Sequence, residues 1–281
     1  MGKQMNYKNH FGIGVAGNFT GHLEQANEAS DFTEIEVKEE IQPKAIFPFY
    51  FPQLKDSFLS TYPISSSSID LPETPYDVQI EPEVALICKV IYEQKKVVKL
   101  LPTSFGAYND CSIRRPDALK ISHKKNWGDS SKGLSEQLIK INSFTKDSEH
   151  NHYSICSFHK TNGEIHQYGE TSEVSSYSYN NEKLLDWIID RLNNQTDIGP
   201  AENMAQYLAE SQYPEECIIS IGATRYTDYG QNNFLKAGDT SIVVVFDQRK
   251  STYDEVLASV KEEVYDLDGA SFLVQRVRET R

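Results

Sequence analysis

Ile80-Glu81-Pro82-Glu83-Val84-Ala85-Leu86-Ile87 sets two carboxylates two residues apart in a segment that otherwise reads as a buried strand. Side chains alternate across a strand, so Glu81 and Glu83 share a face with Ala85 and Ile87, their Cα atoms about 6.5 Å apart. Two carboxylates in partly apolar surroundings raise each other's pKa and lose hydration unless something positive sits between them. A hard divalent cation meets that need. An edge strand that turns its Glu side chains to water avoids it, and Pro82, with no N–H to give a ladder, suits an edge. This segment alone leaves both readings open.

Working outward, the chain has 281 residues, enough for one large domain or two small ones. Its net charge of -13 repels phosphate backbones, and no Lys/Arg stripe interleaved with aromatics offsets it, so nucleic acid is excluded as a partner. Cys88, Cys111, Cys156 and Cys217 show no C-x-x-C spacing and read as small buried hydrophobes in a reducing compartment. No apolar run is long enough to cross a bilayer, and the run from Phe11 to Gly17 is too short and glycine-rich for a signal peptide. The expected location is the cytoplasm, with no membrane partner.

Gly12, Gly14 and Gly17 satisfy the G-x-G-x-x-G expression of dinucleotide folds. That motif needs an apolar strand before it and an amphipathic helix opening at its last glycine; Lys3 to His10 is polar, and Asn18 to Glu28 has no apolar stripe. A glycine-rich strand entering a loop that presents His22 is the better reading, and no organic cofactor is expected. Residues 42–100 alternate short apolar runs with Pro and Ser clusters, which suits short strands and long loops. Further strands are expected at Tyr153 to Phe158, Cys217 to Ile221 and Ser241 to Phe246, with a hairpin turn at Asn162-Gly163. Two helices carry core-facing stripes, one through Leu184, Leu185, Ile188, Ile189 and Leu192, the other through Tyr253, Val256, Leu257, Val260 and Val264.

Asn109-Asp110-Cys111-Ser112-Ile113-Arg114, followed by Trp127 and Lys132, extends the first clue. With Gly17-Asn18-Phe19-Thr20-Gly21-His22 before it, and Asn162-Gly163-Glu164-Ile165-His166-Gln167, Ile221-Gly222-Ala223-Thr224 and Ala237-Gly238-Asp239 after it, the chain resembles the fumarylacetoacetate hydrolase family in motif and order over residues 9–247. Each motif is weak alone; their common order argues against coincidence. The resemblance implies an α+β, β-rich fold, a mixed β-sandwich roll of the family's C-terminal-domain type with a few peripheral helices. The chain is then a single domain, residues 248–281 forming an appended helix and strand.

It also implies that Glu81, Glu83 and Asp110 ligate Mg²⁺ or Mn²⁺, with Ca²⁺ as an alternative at higher coordination. The family acts on compounds with adjacent or 1,3-related carbonyl oxygens, so the implied partner is a small-molecule substrate, and a homodimer is the implied assembly. Lys132 corresponds to the family's lysine beside the developing oxyanion, although by itself it reads as a surface residue. Asn109, Gln167, Thr224 and Arg225 are the implied substrate-binding positions. His22 corresponds to the water-activating histidine, but Gln25 stands where its glutamate partner belongs, so Glu24 is the candidate for a shifted carboxylate. The family's G-T-P turn, which holds a substrate carboxylate, corresponds here to the altered Gly222-Ala223-Thr224-Arg225. These departures favour enolate chemistry, by decarboxylation or tautomerisation, over C–C bond hydrolysis, unless Glu24 turns inward. They equally motivate a binding or scaffold protein that has lost catalysis. Gly12 to Gly17 motivates a weaker third reading, a nucleotide-dependent oxidoreductase.

Overall fold

The computed structural model describes residues 6–280 apart from 27, 36 and 116. Its first part supplies β1 (Phe11–Ala16), the one-turn helix α1 (His22–Gln25), β2 (Ala45–Tyr50), β3 (Ile64–Ser65), β4 (Ser68–Asp70) and β5 (Val78–Gln79). Next come β6 (Pro82–Glu93), β7 (Lys96–Asn109), β8 (Ser112–Ile113), β9 (Lys132–Leu134) and β10 (Ile139–Lys140). The remainder forms β11 (Tyr153–Thr161), β12 (Glu164–Glu173), α2 (Asn181–Asn194), α3 (Met204–Glu210), β13 (Glu216–Ser220), α4 (Asp228–Asn232), β14 (Thr240–Asp247), α5 (Tyr253–Glu262) and β15 (Ala270–Arg278).

Eight strands make one sheet in the order β2-β1-β13-β6-β7-β9-β3, with β10 beside β7. A second sheet runs β12-β11-β14-β15-β4, and β5 pairs with β8 in a small ladder. Val84 and Leu86 of β6 and Phe105 and Ala107 of β7 meet Ile155, Val243, Val245 and Leu273 of the second sheet in one buried cluster. Ala85, Ile87 and Tyr108, on the other face of the same hairpin, pack with Phe49 and Ile218. The β6–β7 hairpin is therefore buried on both faces over its first half, where each large aliphatic side chain contributes about 1.5–3 kcal/mol. This is the β-rich sandwich roll implied by the motifs, with helices at its periphery.

Pro82 stands at the first position of β6, an interior strand, where its missing N–H interrupts the ladder least. Asn162 and Gly163 close the β11–β12 hairpin with φ of 51° and 83°, as their dipeptide signals. The β6–β7 turn needs the same left-handed geometry and makes it with Gln94 and Lys95, at φ of 49° and 66°. In β1, the rings of Phe49 and Phe47 from β2 lie where a Cβ on Gly12 or Gly14 would stand. Packing thus accounts for that glycine pair. The α2 stripe buries Leu184, Leu185, Ile188 and Leu192 in the main core, and α5 places Val256 and Val260 against the outer face of the second sheet. The segment expected as an appendage supplies β15, which lies between β14 and β4, inside that sheet. Among the described residues no helix is long and apolar enough to cross a membrane.

Candidate metal centre

The pairing of Pro82 with Asn109 brings the start of β6 beside the end of β7. Asp110 N–H donates to Glu81 O at 2.9 Å and Glu81 N–H to Asn109 Oδ1 at 3.1 Å, so the two chain segments are stitched where the carboxylates emerge. One ligand oxygen from each of Glu81, Glu83 and Asp110 lies within 4.8 Å of the others, and all three residues are buried. The Glu residues therefore face inward, and the open-edge alternative for this strand does not hold.

Glu83 accepts a hydrogen bond from Gly222 N–H at 2.8 Å. That peptide turns at φ 118°, and a Cβ there would press on Asn18 at 3.0 Å, which is why the turn keeps its glycine. Burial pushes the Glu83 carboxyl well above its ordinary range, and the Asp110 charge adds to the effect. Asp110 is raised as well, burial outweighing the lysines beside it. Glu81 behaves oppositely: burial would raise it, but Lys125 and Arg114 outweigh that and hold it ionised.

The cations come from three segments of the chain: the residues after β8, the turn at Lys124-Lys125 and the start of β9. Lys125 Nζ lies 2.5 Å from Glu81 Oε2 and 2.7 Å from Asp110 Oδ2. Lys132, at the start of β9, is completely buried; its ammonium donates to Cys111 O, lies 3.5 Å from Asp110 Oδ1 and sits 5.2 Å from the centre of the Trp127 ring. Burial lowers its pKa, with Asp110 opposing. Arg114 bridges Glu81 at 3.1 Å and Glu28 at 3.1 Å, and donates to Gln79 Oε1 and the Tyr226 hydroxyl. Lys124 reaches Glu28 at 2.9 Å. Even so, Glu81 Oε1 and both Asp110 oxygens have no well-directed hydrogen bond and meet their cations through ion pairs.

His22 sits at the start of α1, with Nδ1 2.9 Å from Thr224 O. A carbonyl can only accept, so Nδ1 carries the proton and Nε2 keeps its lone pair. Burial lowers the His22 pKa, and Glu81 is the strongest charged influence opposing that shift.

Glu81, Glu83, Asp110 and Lys132 thus meet in one buried cluster, with His22, held by the backbone of Thr224, within electrostatic reach of Glu81. Other expected positions lie elsewhere. Glu24 is exposed, and Gln25 is occupied by a two-way clamp on Tyr226, donating to its carbonyl at 3.1 Å and accepting from its N–H at 2.8 Å. The shifted His22–Glu24 dyad therefore does not form, because the one-turn helix points those two side chains apart. The Asn109 amide ties the two sheets together through Ser241 and Gln275. Gln167 bonds to Gly169 O and the Tyr253 hydroxyl, and Arg225, half-exposed, pairs with Glu170 at 2.7 Å. Gln167 and Arg225 are engaged in structural contacts, and Asn109, although beside the carboxylates, has its amide taken up by Glu81 N–H, Ser241 and Gln275. Sequence reasoning quoted Arg114 without giving it a role and missed Glu28 and Lys125; nothing in the polar run His123-Lys124-Lys125-Asn126 signals a buried ammonium. A cleft of about 970 Å³ opens nearby, lined in part by Tyr76, Ile113, Arg115, Asn126 and Trp127.

A family model described as "Family of unknown function (DUF5718)" matches residues 28–277. No curated protein sequence matches the chain. Among solved structures, a putative HpcE protein from Mycobacterium smegmatis is similar at a TM-score of 0.54 and 16% identity, covering 96% of this chain and 75% of its own. An apo 2-keto-3-deoxy-D-arabinonate dehydratase is similar at a TM-score of 0.51 and 12% identity, covering 96% of this chain and 73% of its own. The same enzyme complexed with magnesium and 2,5-dioxopentanoate is similar at 0.50 and 11% identity, with the same coverage. The fold is of the fumarylacetoacetate hydrolase type, in a divergent form.

Proposed function

The chain belongs to the DUF5718 family, whose function is not described, and from its buried carboxylates we propose that it is a divalent-metal-dependent enzyme acting on a 2-oxo acid or β-dicarbonyl compound. The observation that carries this reading is the meeting of Glu81, Glu83 and Asp110, buried and with carboxylate oxygens left without hydrogen bonds. An all-oxygen, carboxylate-rich donor set suits Mg²⁺ or Mn²⁺. The similar structure with magnesium and 2,5-dioxopentanoate supports the same class of ligand.

Glu81, Glu83 and Asp110 would hold the ion, which supplies positive charge to the oxygens of an enolate. Lys132 places a second ammonium beside Asp110 and is tethered by its bond to Cys111 O. His22 offers a free lone pair at Nε2 that can take a proton from carbon next to a carbonyl. Its other nitrogen is held by a neutral carbonyl instead of a carboxylate, so the imidazolium is stabilised less than in a His–Glu dyad. That favours tautomerisation or decarboxylation over attack by an activated water.

A second reading, a binding or scaffold protein on the same fold, is favoured by one observation, the Lys125 ammonium between Glu81 and Asp110. An activity screen on oxaloacetate, acylpyruvates and related diketones with added Mg²⁺ or Mn²⁺ separates the two. Turnover that requires metal and vanishes in Asp110→Ala supports the enzyme; no turnover on any of them, or equal turnover in the variant, removes it.

A further inference from the structure

We infer that Lys125 is the resident counter-cation of the carboxylate cradle, and that a divalent ion enters only by displacing its ammonium, so that this residue sets the affinity of the metal site. The inference rests on the metal reading above. The ligand oxygens of Glu81, Glu83 and Asp110 enclose room for one cation, all lying within 4.8 Å of each other, and Lys125 Nζ stands at 2.5 and 2.7 Å from two of them. A divalent ion bound to the same oxygens would sit within a few ångströms of a positive charge that burial shields from water, so the two occupants exclude each other.

Charge points the same way. Arg114, Lys125 and Lys132 already lie against Glu81 and Asp110. An added divalent ion brings two more positive charges to the same carboxylates, and withdrawal of Lys125 offsets one of them. Of the cations touching the three carboxylates, Lys125 is the one whose described hydrogen bonds and ion pairs are to those carboxylates alone. Arg114 is tied to Gln79, Glu28, Tyr226 and Glu81, and Lys132 is tied to a backbone carbonyl. Lys125 instead carries its ammonium on a flexible four-carbon stem whose described polar contacts are Glu81 and Asp110 themselves. An ammonium also leaves the lone pairs of Asp110 and Glu81 Oε1 incompletely used, which a metal ion would complete.

The test is calorimetric titration of Mn²⁺ into the wild-type protein, Lys125→Met and Lys125→Arg, with thermal unfolding followed in EDTA and in Mn²⁺. Lys125→Met should bind Mn²⁺ about a hundredfold more tightly than wild type, and should melt lower than wild type in EDTA but recover when the ion is added. Lys125→Arg keeps the charge, and its melting curve in EDTA reports whether it is folded; it should bind Mn²⁺ no more tightly than wild type. Equal affinity in wild type and Lys125→Met, or tighter binding in Lys125→Arg, overturns the role of Lys125 while leaving the metal site standing. Absence of binding in all three proteins at millimolar Mn²⁺ overturns both.

Discussion

Arg114→Met is the perturbation whose size follows most directly from the buried charges. The guanidinium makes two ion pairs, with Glu28 and Glu81 at 3.1 Å each, and two neutral hydrogen bonds, with Gln79 and Tyr226. Removing one partner of a buried pair costs about 3–5 kcal/mol. Lys124 and Lys125 still neutralise part of the abandoned charge, and the Arg114 side chain is 17% exposed, which places the loss at the lower end, about 3 kcal/mol. For a chain of this length that is about 5 °C in Tm.

The pH dependence of this loss has a definite sign. In the wild type burial tends to raise Glu28, but Arg114 and Lys124 outweigh it and hold it below the ordinary 4.5; Glu81 is depressed as well. A depressed carboxylate contributes stability that is present above the unfolded-state pKa and is lost as pH falls through the folded value. The variant forfeits that contribution, so its deficit is complete near neutral pH and narrows as the pH drops through and below about 4.5. Urea unfolding of both proteins at a series of pH values reads this directly. A deficit under about 1 kcal/mol at neutral pH, or one that widens on acidification, refutes the assignment of Arg114 as the clamp on these carboxylates.

Gly14→Ala should cost about 1–3 kcal/mol, because its Cβ lands in the Phe47 ring, and unchanged urea unfolding would show that β2 can shift aside. If a substrate is found, Glu24→Gln should leave kcat/KM within about twofold, whereas Gln25→Ala, which frees Tyr226 and the Thr224 carbonyl that orients His22, should lower it by about tenfold; the reverse ranking would restore a shifted dyad. Replacing Glu83 by Gln should weaken Mn²⁺ binding by at least about tenfold in calorimetry while the circular dichroism spectrum stays native.

The strand and hairpin pattern of this fold was open to sequence reading where the chemistry is local. Alternation fixed the faces of β6, and Asn162-Gly163 announced its own turn. The Gln94-Lys95 turn was silent because neither residue favours the left-handed region, and tertiary pairing of two long strands imposes it. The three clustered carboxylates were legible because two Glu on one strand face and an Asp after a motif asparagine are unusual in apolar surroundings. Their counter-charges were not. A lysine between His123-Lys124 and Asn126-Trp127 looks like any solvated lysine until the fold turns its stem inward. Residues carried over for substrate contact fared differently from the ligands: Asn109, Gln167 and Arg225 each have a structural partner that only the folded chain brings within reach.

The central claim, that Glu81, Glu83 and Asp110 form a cradle for a divalent cation, is tested most directly by anomalous diffraction from a crystal soaked in Mn²⁺. The account predicts an anomalous peak about 2.0–2.6 Å from an oxygen of each of the three carboxylates, with the Lys125 ammonium moved out from between Glu81 and Asp110. A cradle without a peak, Lys125 still seated at those two carboxylates, would contradict it.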